Sequence, residues 1–272
     1  MLFGFVYQTH PDMINMLQFP LSISNLVEVD SQEKDNLLQS RVLFPCNELV
    51  NLKILEKLCI WSSSVEEVFE VVEGTNDDVN GTQSVVVFEK LKEVTLHGLL
   101  GLRHMWKSNR WIVLNFPNLT KVSISECPLL GHVFTSCMVG SLLHLQELEI
   151  IYCKNMEVIV KEVEDSETQV VFPCLRSITL KYLPNLKGFC LGKEAFVWPS
   201  LDSLEIKNCP KITVFTSGQS TTPKLKLIDT TSGMCDATED PNSFIKTKQQ
   251  EVFCYYEKIN NVFLNKKLTL LF

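Results

Sequence analysis

The chain has 272 residues, 45% of them apolar and 21% charged, with a formal net charge of -7. It is too apolar to be a disordered segment. Its acidic balance disfavours a broad footprint for nucleic acid or anionic lipid, and no apolar run approaches the ~18 residues that span a bilayer.

Residues 1–43 are weakly patterned and read as a degenerate repeat or flank. The apolar start, Met1 to Tyr7, lacks a basic region ahead of it and runs into His10, Pro11 and Asp12, so no signal peptide is expected. A first apolar series follows at Leu52, Leu55, Leu58 and Ile60, with Ser63 and Glu66 at its later positions. An acidic insertion covers 62–84, with Glu66, Glu67, Glu70, Glu73, Asp77 and Asp78. The series then returns in full at Phe88, Leu91, Val94, Leu96, Leu99 and Leu102. A basic, aromatic stretch follows from Arg103 to Trp111. The next copies are Phe116, Leu119, Val122, Ile124, Cys127, Leu130, and Leu142, Leu145, Leu148, Ile150, Cys153, Met156. A second acidic insertion, 157–170, carries Glu157, Glu162, Glu164, Asp165 and Glu167. Two more copies read Phe172, Leu175, Ile178, Leu180, Leu183, Leu186, and Trp198, Leu201, Leu204, Ile206, Cys209, Ile212. A weak last copy begins near Leu225 and Ile228. After residue 230 a polar linker begins. From 242 onward Ile245, Val252, Tyr256, Ile259 and Phe263 lie at helical intervals, which predicts a capping helix with a tail at 268–272.

The second apolar position recurs at 55, 91, 119, 145, 175, 201 and 225, close to the roughly 20–29-residue period of leucine-rich repeats once the insertions are discounted. Within each copy the Val/Leu-x-Leu/Ile pair has period two, so both side chains point to one face of a short strand. One copy cannot bury that ridge alone. Stacked copies bury it against one another and form a parallel sheet. The expected fold is an α/β repeat solenoid: a leucine-rich-repeat arc with a parallel sheet on its concave face and mostly irregular or short helical convex segments. The repeat domain spans 44–230 with about six to seven copies, flanked by 1–43 and by the 231–272 linker and cap.

Of the ten cysteines, Cys127, Cys153 and Cys209 share a phase that Leu99 and Leu183 fill elsewhere. They read as small apolar core residues and not as metal ligands. There is no C-x-x-C pair and no export signal, so reduced thiols in the cytoplasm are expected, with the nucleus or the periphery of the plasma membrane as alternatives. The steps Phe44-Pro45, Phe116-Pro117, Phe172-Pro173 and Trp198-Pro199 recur in phase. Proline holds the residue before it extended, and the aromatic can fill the wide convex side of the coil.

The fullest copies, Phe116-Pro117-Asn118-Leu119 through Cys127-Pro128 to Phe134 and Trp198-Pro199-Ser200-Leu201 through Cys209-Pro210 to Phe215, resemble the repeat region of plant disease-resistance proteins. These are the nucleotide-binding leucine-rich-repeat immune receptors, especially those with a coiled-coil N-terminus. The resemblance covers about residues 44–230 and implies a sensor or autoinhibitory contact in the defence response. The implied partner is a protein: a pathogen effector, a guarded host protein or an adjoining nucleotide-binding domain. It also implies an upstream phosphate-binding Gly-x-x-x-x-Gly-Lys-Ser/Thr loop. The nearest string, Gly188 to Glu194, is one residue short and ends in Glu, so the chain is expected to be a fragment or truncated relative without a nucleotide cofactor.

The residues that flank and split each strand should face the concave side. The first row is Lys57, Glu93, Lys121, Glu147, Ser177 and Ser203; the middle row is Cys59, Thr95, Ser123, Glu149, Thr179 and Glu205; the third is Trp61, His97, Ser125, Ile151, Lys181 and Lys207. Their chemical variety over a constant core suits a surface selected by a partner. Arg103, Lys107, Arg110 and Trp111 are candidate loop contacts, since Arg and Trp are favoured at binding hot spots, whereas Trp106 falls in the repeated aromatic phase and reads as core. No metal ligand set, small-molecule substrate or catalytic group is expected: the histidines lack H-E-x-x-H spacing and there is no Gly-x-Ser-x-Gly elbow. The alternatives are the substrate-binding repeats of an F-box-type ubiquitin-ligase adaptor, which no helical segment ahead of the repeats supports, and a receptor fragment without function.

Overall fold

The computed structural model describes residues 6–7, 26–30, 42–44, 52–69, 84–106, 112–162, 169–237 and 240–242. Each period-two pair of the sequence sits on a five-residue strand whose burial alternates, as in Lys121–Ser125, where Val122 and Ile124 are buried and the residues between them are not. These strands join a single ten-stranded sheet in the order β1 (Val6–Tyr7), β2 (Leu26–Asp30), β4 (Lys57–Trp61), β7 (Glu93–His97), β10 (Lys121–Ser125), β12 (Glu147–Ile151), β15 (Ser177–Lys181), β18 (Ser203–Lys207), β20 (Leu227–Thr230) and β21 (Gly233–Asp236). All neighbours are parallel except the last pair, a hairpin in which β21 folds back on β20. That turn occupies the start of the expected linker.

The apolar residues spaced three apart close turns at both ends of the strand. The Leu119 amide donates to the Phe116 carbonyl and that of Leu130 to Cys127, and the same pairs recur at Leu145/Leu142, Met156/Cys153, Leu186/Leu183 and Leu201/Trp198. Both members of each pair point inward, so one spacing makes the corner and fills it. In the first copy the later position falls to Val65, buried one residue ahead of the expected Glu66, while Ser63 is buried and accepts the Val65 amide. A connection one residue shorter than in the next copy brings the valine into place.

The far sides of the coil carry strands where irregular or short helical segments were expected. A second ladder runs through β3 (Val42–Phe44), β5 (Glu67–Phe69) and β8 (His104–Trp106), and again through β11 (Phe134–Thr135), β13 (Val158–Lys161) and β16 (Gly188–Cys190). A third comprises β6 (Ser84–Val87) with β9 (Ile112–Asn115), and β14 (Gln169–Val171), β17 (Ala195–Val197) and β19 (Ser220–Thr221). The cause is local composition. Val85-Val86-Val87, Ile112-Val113-Leu114 and Ala195-Phe196-Val197 are rich in β-branched and aromatic residues, which fit a pleated surface. Helix is scarce among the described residues: α1 (Ser136–Val139) is four residues long.

Aromatic side chains from the Phe-Pro phase fill the interior opposite the long sheet. Phe88 and Phe116 stack with centroids 5.0 Å apart, and Phe172 and Trp198 with centroids 6.4 Å apart. Trp106 is buried among Phe69, Phe116 and Phe134, and its indole N–H donates to the Val133 carbonyl. Cys127, Cys153 and Cys209 are buried free thiols that each donate to the carbonyl two residues earlier, at 3.4, 3.5 and 3.4 Å. A hydrogen bond to Cys127, reinforced by burial, pushes the Cys153 thiol above its ordinary range. The end of the coil is held by Asn242. Its side-chain oxygen accepts the Phe215 and Thr216 amides at 2.8 and 3.1 Å, and its side-chain nitrogen donates to the Thr216 carbonyl at 3.0 Å. Beside it, Ser220 donates to Asp240 at 2.7 Å. The expected helix beyond 242 lies outside the described residues.

Candidate functional site

The outward face of the long sheet is built by strand register. Parallel pairing sets Lys57, Glu93, Lys121, Glu147, Ser177 and Ser203 side by side, and aligns the middle and third rows in the same way. Every candidate concave residue therefore lies on one surface. The middle row, Cys59, Thr95, Ser123, Glu149, Thr179 and Glu205, is half-buried throughout, as is the third. Arg103 is exposed elsewhere, at the start of the second ladder, where its amide donates to the Glu66 carbonyl. Lys107, Arg110 and Trp111 lie outside the described residues.

Most charges on this face are satisfied across neighbouring strands. Lys57 meets Glu93 at 2.8 Å and Lys121 meets Glu147 at 2.7 Å. Those carboxylates, through hydrogen bonds first, raise both lysines above their ordinary range. At the other end Glu205 receives Lys181 and Lys207, each at 2.8 Å, and Lys207 also reaches Asp229 at 2.7 Å. Desolvation works to raise Glu205, and the two lysines outweigh it and hold the carboxyl below its usual range. All of these side chains keep part of their surface in water, so each pair contributes roughly 0–1 kcal/mol. The remainder of the face is quieter: Trp61 tilts against His97 with centroids 5.4 Å apart, His97 bonds Ser125 at 2.8 Å, and Ser123 donates to Glu149 at 2.8 Å.

A fourth row, not anticipated from the sequence, borders the third. The residue after each strand has a left-handed backbone: Ser62, Gly98, Glu126, Tyr152, Tyr182 and Asn208, with φ between 48° and 67°. Each of the first five donates its amide to the carbonyl of the third-row residue in the next repeat, as in Tyr152 to Lys181 at 3.1 Å, and Asn208 donates instead to the Thr231 hydroxyl at 2.7 Å. The conformation thus redirects the chain out of the strand while continuing the ladder. Gly98 and Asn208 are residue types that favour this region and could have signalled it; serine, glutamate and two tyrosines could not. The rings of Tyr152 and Tyr182 stack on the surface with centroids 4.4 Å apart and planes 10° apart. Desolvation first, then Tyr182 and the charge of Glu126, raise the Tyr152 phenol above its ordinary range.

Away from this face, the carboxylates of Glu162 and Glu194 converge over Gly192, where an added Cβ would lie 2.1 Å from Glu194 Oε2 and 2.9 Å from Glu162 Oε1. Burial, with these charges adding to it, pushes the neighbouring Cys190 thiol up to about 12. Among the described residues no three His, Cys, Asp or Glu side chains form a group that could hold a metal ion. Nor is any helix among them long and apolar enough to cross a membrane.

The comparisons with known proteins agree with this architecture. The family described as plant disease resistance protein RPS2-like, leucine-rich repeats, matches residues 12–154. A probable disease resistance protein of Arabidopsis thaliana is 27% identical over 130 residues, covering 46% of this chain and 14% of that protein. The chain thus spans a small part of that relative's length. No solved structure matches.

Proposed function

For a chain that belongs to the RPS2-like leucine-rich-repeat family of plant disease resistance proteins, we propose that the outward face of the long sheet is a non-catalytic protein-recognition surface acting in defence. The carrying observation is the contrast between its two sides. The inward residues repeat Val, Leu and Ile in register, while the outward rows mix Lys, Glu, Ser, Thr, Cys, Trp, His and Ile. Folding needs the first regularity and makes no demand for the second. A half-buried middle row of hydroxyls and carboxylates suits a partner that is read by hydrogen bonds and charge.

The finer reading is a sensor or autoinhibitory contact. Its partner is a pathogen effector, a guarded host protein or an adjoining nucleotide-binding domain, met in the cytoplasm, and the face itself uses no cofactor. The test places a photo-cross-linking amino acid at Ser123 or Thr179, and at Lys90 or Arg176 as off-face controls, in the full chain expressed in plant tissue. Protein adducts confined to Ser123 and Thr179 support the proposal. Equal adducts at the control positions, or none at any position, overturn it.

A further inference from the structure

We infer that Glu126, Glu149, Ile151, Tyr152 and Tyr182 form a seat for an arginine side chain on the surface of a partner protein. This inference rests on reading the long-sheet face as a recognition surface and names the chemistry that one part of it selects.

Tyr152 and Tyr182 adopt φ of 57° and 53°, a region that is strained for bulky residues. The coil does not require an aromatic there, because Ser62 and Gly98 perform the same chain reversal with the same amide bond to the next repeat. The rings also lie outside the buried core: the two residues are 51% and 42% exposed, and their rings stack on each other at the surface. Two strained, exposed tyrosines that the fold could replace with smaller residues leave their ring surface for another molecule.

Geometry and charge then specify the guest. Stacking uses one face of Tyr152 against Tyr182. The other face turns toward the preceding repeat, where Glu126 stands exposed at the equivalent position. A planar cation there would lie on the electron-rich ring and reach the carboxylate at its edge. The strand just before Tyr152 supplies a half-buried Ile151 and, two residues earlier, Glu149, which accepts a hydrogen bond from the neutral Ser123 hydroxyl. The lysine-bearing clusters on either side are already paired with their own carboxylates. The unmatched character of this stretch is therefore acidic and aromatic. Arginine fits better than lysine because its guanidinium is flat, weakly hydrated and able to bond a carboxylate while stacked.

The test titrates acetyl-Gly-Gly-Arg-Gly-Gly-amide, and its lysine and glutamate counterparts, into the full chain carrying ¹³C-labelled tyrosine, with NMR detection of the ring signals. The arginine peptide is expected to shift the Tyr152 and Tyr182 signals saturably, the lysine peptide more weakly and the glutamate peptide not at all. The exposed substitution Glu126→Gln should raise the half-saturating concentration roughly three- to fivefold, and Tyr152→Leu should abolish the response at Tyr182. Should Tyr152→Leu fail to fold, Glu126→Gln decides alone. An arginine response unchanged by Glu126→Gln, equal responses to the glutamate or lysine peptide, or no tyrosine response at all overturns the inference. Photo-cross-linking at Ser123 would still succeed in that event, so failure of this seat is distinguishable from failure of the recognition surface.

Discussion

Replacing Ile124 with alanine probes the layer that the whole coil depends on. Ile124 is fully buried on β10, in register between Leu96 of β7 and Ile150 of β12. The substitution removes three carbons, and at about 0.8 kcal/mol per buried methylene the lost transfer free energy is about 2.4 kcal/mol. A residual cavity on the order of 50 Å³ adds about 1 kcal/mol. The strands on both sides are held in register by the continuing ladder and cannot collapse far, so the total should be about 3–4 kcal/mol. The neighbouring Ser123→Ala, on the outward face, removes a hydroxyl that donates to half-buried Glu149 and should cost roughly 0.5–1 kcal/mol. Urea unfolding followed by circular dichroism reads both. A cost below about 1 kcal/mol for Ile124→Ala, or a cost for Ser123→Ala equal to that of Ile124→Ala, would contradict burial of this layer.

Cysteine labelling should be ordered by burial. Cys137 is exposed, whereas Cys127, Cys153, Cys190 and Cys209 are buried, so iodoacetamide at neutral pH followed by peptide mapping should modify Cys137 in the folded chain and those four only on unfolding. Asn242→Ala strips the acceptor from the Phe215 and Thr216 amides and should cost about 1–3 kcal/mol, seen as a lower urea midpoint and faster hydrogen exchange at those amides; unchanged exchange would show that the clamp is not formed. His132 is held down to about 4 by burial, then by Lys161 and by His104 6.1 Å away. The unfolded chain takes up a proton there that the folded chain refuses, so between about pH 6.5 and 4 stability falls as pH falls, by roughly 1–3 kcal/mol after allowing for its partial exposure. His132→Gln should flatten that part of the stability profile, and an unchanged slope would contradict the assignment.

The core of the fold was readable because it rests on two short spacings. Val122 and Ile124 two apart declare a strand face, and Phe116/Leu119 and Cys127/Leu130 three apart declare the corners that their amide–carbonyl bonds close. The placement of Lys57, Ser123 and Lys207 on one surface follows directly, since register copies each phase from strand to strand. The strands on the far sides were harder to read. Segments such as Gln169–Val171 are three residues long and adjoin insertions of variable length, so periodicity has no room to show. The left-handed row escaped because four of its six members are residue types that avoid that conformation, and only the hydrogen bond to the next repeat reveals what holds them there. Glu66 illustrates a smaller limit: a connection one residue shorter moved the buried position to Val65, and fixed offsets cannot see such a slip.

The strands of the long sheet stack in register, and a distance along the middle row measures that directly. Spin labels carried by unnatural amino acids at Thr95 and Glu205, with β10, β12 and β15 between their strands, should lie about 19 Å apart at backbone level, four inter-strand steps of about 4.8 Å. A narrow distribution of pulsed electron–electron distances near that value, widened only by the label arms, is the expected result. A broad distribution, or a principal distance beyond about twice that value, would contradict the stacked arrangement and the recognition surface built on it.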